Sequence, residues 1–527
     1  MEKIVSLAKR RGFVYQSSEI YGGLNGCWDF GPMGVEMLNN LKQQWWKSMT
    51  YRENVEGIDA SILMHPRVWE ASGHVENFTD PMVDCKQCKA RYRLDILVEG
   101  FSEKSLRKAI ESYREGLDKG LNQKSIELLR EESEAEKKAL SDFQYNSIDD
   151  RVDSKIKQDR SLVDLLFKTK ERSTEDLLNF VQGRAAVFIS EGLFVCPNCG
   201  NKGTFTEARK FNLMFKTFVG PMEDSSAVVY MRPETAQGIF VNFLNVQSAS
   251  RQKVPFGIAQ IGKAFRNEIN TKNFLFRTRE FEQMEMQFFV KPGTDDHWFE
   301  YWRSERMKWF TDLGMTKEKL QWRQHPKDKL AHYAKDAYDI EFQFPFGWGE
   351  IEGVHNRTDY DLSRHEEYST KSLKYFDDES KEKYTPFVIE TSAGATRSFM
   401  AFLVDAYREE EAPTGEGGSE LRTVLKLHPK IAPNKVAIFP LVNRDSMPEI
   451  ARKIEQELRP HFRVFYDESG AVGRRYRRQD EIGTPFCITV DSQTLQDQSV
   501  TVRDRDSMQQ ERISTGKLRD YLLQKLL

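Results

Sequence analysis

The 527-residue sequence has no apolar run of the roughly 18 residues that a membrane-spanning helix needs. Its first residues, "MEKIVSLAKRRGF", also lack the apolar core of a secretory signal peptide. We therefore expect a cytoplasmic protein with no membrane partner.

Cysteine is scarce, with six residues in the chain, and we do not expect a disulfide framework because the cytosol keeps thiols reduced. Four of them form the pairs "CKQC" and "CPNC", namely Cys85, Cys88, Cys196 and Cys199. Two such knuckles supply the four thiolates of a closed tetrahedral zinc site, although the stretch between them is longer than in compact zinc modules. Free thiols are the alternative. Cys27 and Cys487 have no partner motif, and we expect them to be unligated.

The chain also lacks an excess of charge of one sign. It has 78 Lys and Arg against 81 Asp and Glu, and its formal net charge is -3. Any nucleic acid must therefore be met by local basic patches. The length predicts two to four domains, and a composition of 39% apolar and 30% charged residues is typical of a soluble globular protein.

Proline is absent between Met82 and Cys196, and residues 101–182 are dense in Glu, Lys, Arg and Leu. That composition favours helix and rarely supports a large core, so we predict a mostly helical insertion over residues 97–190. Its charges are mixed in sign, which favours a solvated spacer over an arm that contacts nucleic acid or a partner.

Apolar periodicity predicts the remaining elements. The run "GVEMLNNLKQQWWKSM" places Val35, Leu38, Leu41, Trp45 and Met49 at helical spacing, and "GIDASILMHP" reads as a strand closed by Pro66. Strand-like runs follow one another in residues 205–403, which predicts a largely antiparallel sheet and an α+β domain. Beyond "REEEAPTGEGGSE", strands and helices alternate as in a small α/β domain.

The hairpin "KAFRNEINTKNFLFRTREFEQMEMQFF" has an unusually polar face. Strand alternation places Arg266 and Glu268 on one face, and on the return strand it aligns Arg277, Arg279, Phe281, Gln283, Glu285 and Gln287. Burying such a face is costly unless a polar ligand completes it. Arg266, with Arg277 or Arg279, suits a polyphosphate, while Phe281 could stack on a base and Glu268 could accept from the exocyclic amine of adenine. A ladder of cross-strand ion pairs is the alternative.

"FRNE" followed by "RTREF" resembles motif 2 of the class II aminoacyl-tRNA synthetases, and "ETSAGATRSFMAFL" is similar to motif 3. The helix, the strand and Pro66 resemble motif 1, the usual dimer interface. Within that class, the segments "EIYGGLNGCWDFGPMG", "WEASGHVENFTDPMVDC", "FNLMFKT", "MRPETAQGIFVNF", "AQIGKAFRNEI" and "GRRYRRQDEIGTPFCITVD" look like the homodimeric glycyl-tRNA synthetase family.

This resemblance implies an α+β catalytic domain over residues 1–428, which includes the insertion, and an anticodon-binding domain over residues 432–527. It implies a homodimer that activates glycine with ATP and Mg²⁺ and transfers it to the 3'-terminal adenosine of tRNA(Gly). It also favours structural zinc at the cysteines, because some members carry both knuckles. The alternatives are a class II synthetase for serine, threonine or proline, and a non-catalytic relative that binds tRNA.

For ATP, the resemblance implies catalytic roles for Arg266 on the α-phosphate, Arg397 on the γ-phosphate and Glu268 on adenine, with Phe281 stacked on the base. Glu350 is the candidate Mg²⁺ ligand. The other residues expected around ATP are Asn267, Phe276, Arg277, Thr278, Arg279, Glu280, Ile351, Gly394, Ala395 and Thr396.

For glycine, the resemblance implies an acidic lining of Glu234, Glu285 and Glu390 with Ser392 around the ammonium, and Arg93 facing the carboxylate. The other residues expected there are Phe281, Glu282, Gln283, Met284, Thr391, Ala393 and Gly394. Rejecting larger amino acids by steric exclusion is the easy direction of discrimination, so no editing domain is expected. Motif 3 departs from the family at Thr391 and Thr396, and we expect this to affect fine geometry more than activity.

The segment "GRRYRRQDEIG" gathers Arg474, Arg475, Arg477 and Arg478 around Tyr476. Arginines beside an aromatic ring suit RNA, because they bind phosphate and stack on bases. For each individual arginine, an internal ion pair with Asp480 or Glu481 is as strong an expectation as a contact with RNA. For the domain as a whole, the resemblance implies tRNA binding.

Overall fold

The computed structural model describes residues 1–139, 144–168, 173–224, 227–327, 330, 334–413 and 418–526. The chain divides into two compact units, one of Met1–His74 with Met214–Leu527 and one of Val75–Leu213. Each unit is described by itself. Among the described residues, no helix combines the length and the apolar character needed to cross a membrane.

In chain order, the helices are α1 (Glu2–Arg10), α2 (Pro32–Thr50), α3 (Pro66–Ala71), α4 (His74–Asn77), α5 (Leu94–Glu99), α6 (Glu103–Lys119), α7 (Gln123–Ala139), α8 (Ile148–Lys168), α9 (Thr174–Gly183), α10 (Ala185–Ser190), α11 (Ala236–Phe240), α12 (Phe243–Ser250), α13 (Asp295–Asp312), α14 (Tyr360–Ser369), α15 (Ala395–Ala406), α16 (Met447–Leu458), α17 (Val472–Ile482), α18 (Thr494–Asp497) and α19 (Thr515–Leu526). The strands are β1 (Val14–Gln16), β2 (Trp28–Phe30), β3 (Val55–Gly57), β4 (Thr79–Asp84), β5 (Arg91–Arg93), β6 (Arg209–Asn212), β7 (Lys216–Phe218), β8 (Val228–Tyr230), β9 (Phe256–Phe265), β10 (Glu280–Val290), β11 (Leu320–Gln324), β12 (Asp336–Phe344), β13 (Gly347–Thr358), β14 (Tyr375–Phe376), β15 (Lys383–Tyr384), β16 (Phe387–Gly394), β17 (Tyr407–Pro413), β18 (Ser419–Leu425), β19 (Val436–Pro440), β20 (Val464–Tyr466), β21 (Phe486–Val490), β22 (Ser499–Asp504) and β23 (Gln510–Ser514).

The larger unit is built on a seven-stranded sheet in the order β11-β12-β13-β16-β10-β9-β3. All neighbours are antiparallel except β3 and β9, so the predicted antiparallel α+β architecture is confirmed. On one face, Met284, Met286 and Phe288 of β10 enter a core that they share with α2, α13 and α15. The opposite face carries the intervening side chains.

Helix α2 lies where the periodicity predicts it, with Leu38, Leu41, Trp45 and Met49 buried. Val35 is 39% exposed, and the neighbouring Gly34 is buried instead. A Cβ on Gly34 would stand 1.8 Å from the carbonyl oxygen of Phe13. Only a residue without a side chain lets the helix pack this closely.

The predicted strand "GIDASILMHP" was wrong, because β3 ends at Gly57 and Leu63 forms only an isolated bridge with Met231. Side chains replace the missing strand partner at Ala60, whose N–H donates to Gln260 Oε1 at 3.0 Å while its carbonyl accepts from Arg232 Nη1 at 2.7 Å. Pro66 then begins α3 rather than ending a strand, since proline suits the first helical position.

The unit of Val75–Leu213 contains most of α4, helices α5 to α10 and a three-stranded sheet in the order β5-β4-β6. The mostly helical prediction is confirmed, but the expectation of little core was wrong. Leu106, Ile110 and Tyr113 on one face of α6 join Phe188 and Phe194 in a continuous buried cluster. Charged residues dominate the composition because they cover the outer faces, while a minority of apolar residues at helical spacing forms the core.

The C-terminal sheet has the order β20-β19-β21-β22-β23 and belongs to the same compact unit as the seven-stranded sheet. Strands β20, β19 and β21 are parallel, and β22 and β23 add antiparallel pairs. One face packs against α16 and α19, and the other packs against α17. The predicted alternation of strand and helix is confirmed.

A buried ion pair fastens α13 to the large sheet, and its rupture should destabilise the fold. Arg306 Nε lies 2.6 Å from Glu352 Oε1, and both side chains are almost fully buried. We expect Glu352→Ala to lower the free energy of unfolding by about 3–5 kcal/mol, because the guanidinium is left buried without its counter-charge. Urea denaturation measures this loss.

The matched control is Lys308→Ala on the same helix, since the Lys308–Asp312 pair is exposed. This variant should lower the free energy of unfolding by less than about 1 kcal/mol. An equally small loss for Glu352→Ala would show that the buried pair contributes little.

Candidate active site

The outer face of the large sheet carries polar residues in cross-strand rows. In each row the residues lie directly opposite one another on neighbouring strands, and side chains two residues apart share the face. From one end to the other, the rows are Gly262, Gln283 and Gly394; then Gln260, Glu285, Ser392 and Gly353; then Gln287, Glu390 and His355. This pattern confirms the predicted polar face of β10 from Phe281 onward.

A cavity opens over these rows. The predicted residues that line it are Glu234, Arg266, Glu268, Phe276, Arg277, Thr278, Phe281, Glu282, Gln283, Glu285, Glu350, Glu390, Ser392, Gly394, Thr396 and Arg397. Residues from distant parts of the sequence therefore meet at one site.

Other predicted residues lie nearby without lining the cavity. Met284, Ile351, Ala393 and Ala395 are buried in the core below the sheet, and Thr391 is also buried. Asn267 is half-buried in the loop after β9, and Glu280 pairs with Lys263 at the start of β10. Arg279 binds backbone instead, donating to the carbonyl oxygens of Glu268 at 2.9 Å and of Asn25.

Two arginines hold fixed positions at one end of the cavity. Arg266 Nε donates to the carbonyl oxygen of Pro233 at 3.0 Å, and Arg397 Nε donates to that of Phe276 at 3.0 Å. Arg397 also forms an ion pair of 3.1 Å with the half-exposed Glu350 carboxylate. These backbone contacts orient the guanidinium groups while their positive charge stays at the cavity wall, an arrangement that suits phosphate.

Phe281 and Glu268 lie beside these arginines. The Arg266 guanidinium stands 5.3 Å from the Phe281 ring centroid. Among the described residues, no group hydrogen-bonds the buried Glu268 Oε2, and Arg277 Nη1 approaches it only to 3.9 Å. A buried acceptor without a partner indicates a missing donor such as an amine. Strand β9 ends at Phe265, so a loop, not the predicted strand, brings Arg266 and Glu268 here.

Three carboxylates occupy the other end of the cavity, of which Glu285 and Glu390 are buried and Glu234 is half-buried. The Thr235 hydroxyl donates to Glu285. Burial, with the neighbouring charges of Glu390 and Glu234, raises the pKa of Glu285 to about 8. Glu285 therefore keeps its proton at neutral pH in the absence of a bound cation.

The other two carboxylates stay ionised. Burial opposes the charge of Glu390, but Arg357 at 3.1 Å and His355 at 2.7 Å lower its pKa to about 2. Burial likewise opposes the charge of Glu234, yet His74 at 3.5 Å and the charge of Arg357 hold its pKa well below the usual range. The cluster is therefore an acidic pocket, and an ammonium group bound there would supply a positive charge opposite its carboxylates.

Sequence reasoning missed several residues of this cluster, above all His355 and Arg357. Both line the cavity, and Arg357 is held by Asp361 through bonds of 2.7 and 2.9 Å. They alternate along β13 with Gly353, so the period-two rule that identified Glu285 also marks them. Thr235, Gln237 and His74, by contrast, approach from helices and loops, where no such rule applies.

Arg93 lies in the unit of Val75–Leu213, where it pairs with Asp95 at 3.0 Å and Asp80 at 3.2 Å. Its predicted contact with glycine stays a prediction.

The four knuckle cysteines come together in the same unit, with their sulfur atoms all within 4.8 Å of one another. Two of the separations are 3.7 Å, Cys85–Cys199 and Cys88–Cys196, too long for disulfides. Zn–S bonds of about 2.3 Å in a tetrahedron place sulfur atoms about 3.8 Å apart, so the donor set fits zinc. The Cys88 backbone N–H and the Thr204 hydroxyl lower the pKa of Cys85 to about 6, which favours the thiolate.

The arginines of α17 behave differently from one another. Arg475 is 2% exposed and donates to the carbonyl oxygens of Gly470 and Pro440, so it supports the fold and is not available to RNA. Arg477 pairs with Glu420 and Asp480, Arg478 pairs with Asp467, and Arg474 is exposed. Glu481, the other predicted partner of these arginines, pairs with Arg10 and Arg11 instead.

The fold and the site define a class II aminoacyl-tRNA synthetase. Residues 218–407 match the family described as tRNA synthetase class II core domain (G, H, P, S and T), and residues 435–525 match an anticodon binding domain. Residues 80–213 match glycyl-tRNA synthetase insertion domain 1.

Relatives named glycine–tRNA ligase match almost the whole chain. The protein of Treponema denticola is 51% identical over 98% of this chain and 95% of its own length. That of Chlorobaculum tepidum is 50% identical over 100% of both chains, and that of Streptomyces coelicolor is 47% identical over 100% of this chain and 98% of its own. The chain belongs to the glycyl-tRNA synthetase family. As a member of this family, the protein is a ligase that forms aminoacyl-tRNA.

The proton held by Glu285 should make stability depend on pH. Its pKa of about 8 in the folded protein exceeds the ordinary value of 4.5, so the folded state binds one proton more than the unfolded state between these values. This contribution to the free energy of unfolding is therefore present at low pH and is lost as the pH rises through the window. Glu285→Gln removes this contribution. We therefore expect the free energy of unfolding of the variant, relative to that of the wild type, to rise by about 1 kcal/mol per pH unit between pH 5.5 and 7.5.

Urea denaturation of the ligand-free protein at several pH values tests this, with the exposed Glu379→Gln as control. The control should show no such trend against the wild type. A difference between Glu285→Gln and the wild type that does not change with pH would mean that Glu285 is ionised in the folded protein.

Proposed function

We propose that this cavity is where glycine is activated, with ATP at the arginine end and glycine at the carboxylate end. The observation that carries the proposal is the division of charge along β10. Phe281 and Glu285 lie on one face four residues apart, a span of about 13 Å. That distance separates the base-binding end from the amino-acid end.

ATP would lie with its base on Phe281 and its exocyclic amine directed to Glu268, whose buried oxygen has no hydrogen-bond donor among the described residues. Arg266 would bind the α-phosphate and Arg397 the γ-phosphate. Glu350 offers a half-exposed carboxylate at the cavity wall, which fits the preference of Mg²⁺ for oxygen ligands. Bound there with ATP, Mg²⁺ would neutralise phosphate charge.

Glycine would place its ammonium among Glu234, Glu285 and Glu390. Its carboxylate then attacks the α-phosphorus: a new O–P bond forms, the bond to the β-phosphate oxygen breaks, and pyrophosphate leaves. No protein base is needed because the carboxylate is already deprotonated. Arg266 and Arg397 stabilise the charge that develops at phosphorus, and such transfers depend mainly on positioning and electrostatics.

The remaining assignments rest on the family. We place the catalytic domain at residues 1–428, with the insertion at 97–190 inside the compact unit of Val75–Leu213, and the anticodon-binding domain at 432–527. Arg474, Arg477 and Arg478 are the candidates for tRNA contact. Motif 1 supports a homodimer, and a role in protein synthesis supports a cytoplasmic location. Zinc at the four cysteines would join two knuckles that are distant in sequence.

Removing the α-phosphate ligand should stop the first step. We expect Arg266→Ala to lower glycine-dependent ATP–pyrophosphate exchange by at least about 100-fold, because a positioned charge at the reacting phosphorus is lost. Arg251→Ala, at an exposed helix end outside the cavity, should leave exchange unchanged. Near-normal exchange by Arg266→Ala would overturn its assignment.

Loss of one thiolate should remove the zinc. Elemental analysis of protein produced with zinc should find one ion per wild-type chain and almost none in Cys196→Ser, since a closed site needs all four ligands. Cys27→Ser should keep the ion because Cys27 lies outside the cluster. Wild-type protein free of zinc under these conditions would exclude the site.

A further inference from the structure

His355 stands at the centre of the acidic cluster. It lies opposite Glu390 across β13 and β16, and its Nδ1 is 2.7 Å from Glu390 Oε1. The other carboxylate oxygen of Glu390 accepts from Gln287 Nε2 at 2.7 Å and from Arg357 Nη1 at 3.1 Å. Both oxygens are therefore fixed, and His355 is the partner that holds Oε1.

The imidazole ring occupies space that any side chain at Gly353 would need. A Cβ added to Gly353 would stand 2.9 Å from His355 Cε1 and 3.0 Å from Nε2, whereas the next atom, Asp339 Oδ1, would be 3.5 Å away. The φ of Gly353 is not positive, so its backbone does not demand glycine. The obstacle to a larger residue is the ring itself.

Charged and titratable groups face His355 from three strands and a loop. They are Glu390 on β16, Arg357 and Glu350 on β13, Asp339 on β12, and His325, whose ring centroid is 6.2 Å away and whose Nε2 is 2.7 Å from Asp339 Oδ2. Burial opposes a charge on His355, but the hydrogen bond and charge of Glu390 raise its pKa. The carboxylate of Glu390 therefore favours the protonated form of the imidazole that orients it.

We propose that His355 is a positioning residue for glycine, which aims the Glu390 carboxylate at the ammonium through its Nδ1–H bond, and that Gly353 is required to leave room for the imidazole. The inference rests on the proposed role of Glu390 in glycine binding. His355 itself need not touch the substrate. Its loss should weaken glycine binding and leave the chemistry at phosphorus intact.

Exchange assays with each substrate varied test the proposal. His355→Ala should raise the KM for glycine roughly tenfold to a hundredfold, because a hydrogen bond to a buried carboxylate is lost. The kcat and the KM for ATP should stay within about threefold, since the arginine end is untouched. A fall in kcat with an unchanged KM for glycine would overturn the proposal.

Two isosteric variants separate the hydrogen bond from the volume of the ring. The amide nitrogen of Asn takes the place of Nδ1, so His355→Asn should restore most of the glycine affinity. The amide of Gln reaches the place of Nε2, so His355→Gln should behave like His355→Ala although Gln is larger than Asn. Rescue by Gln and not by Asn would show that the ring only fills space. This comparison decides the question even if His355→Ala fails to fold.

Gly353→Ala gives an independent test. It should raise the KM for glycine by displacing the ring, but it should add little in the His355→Ala background, where the obstacle is gone. Equal effects in both backgrounds would overturn the role assigned to Gly353.

Glu390→Gln distinguishes a failure of the proposed role of Glu390 from a failure of the proposed role of His355. If it leaves the KM for glycine unchanged, the proposed role of Glu390 fails. If it raises that KM while His355→Ala does not, only the present inference fails.

Discussion

The alternation of side chains across an antiparallel sheet is the constraint on which this protein depends. Every second residue of β10 and β16 enters the apolar core with α2, α13 and α15, so the residues between them must face the other way. A one-residue slip would exchange the two faces, which would bury Glu285 among methionines and expose the core. The register that stabilises the fold is therefore also the register that builds the candidate active site.

The acidic pocket illustrates how the same face distributes charge. Glu234, Glu285 and Glu390 are too close for three full charges to be stable, and their partners decide which of them keeps the proton. Arg357, His355 and His74 favour the charge on Glu390 and Glu234, while Thr235 offers Glu285 only a hydroxyl. Glu285 is therefore the carboxyl group of the three that stays neutral at neutral pH. In the proposed function the ammonium of glycine takes the place of that proton, since glycine offers only its charged ends and its small size for recognition.

Most of the site could be predicted from the sequence because period-two alternation and the synthetase motifs concern local stretches of chain. Phe281 and Glu285 needed only a strand and its direction, and Glu390 came from the resemblance of its segment to motif 3. The failures share a different cause, which is that distant side chains decided the outcome. Gln260 and Arg232 satisfy the backbone at Ala60 and remove the need for a strand there. Arg475 is buried because it donates to carbonyl groups of a neighbouring loop and strand. Nothing in the local sequence distinguishes it from the more exposed arginines beside it. The core of the insertion was missed because the overall composition does not show which residues share one face of a helix.

Arg279 joins two loops that are far apart in sequence. Its guanidinium binds the carbonyl groups of Glu268 and Asn25, and its own N–H donates to the carbonyl of Gly26 at 2.8 Å. Gly26 in turn packs against Thr271, where a Cβ would stand 2.3 Å from the threonine methyl group. The glycine-rich segment near the N-terminus and the loop between β9 and β10 therefore form one structural module. In evolution, a change of length in either loop requires a matching change in the other, and a chimaera between relatives must exchange both together.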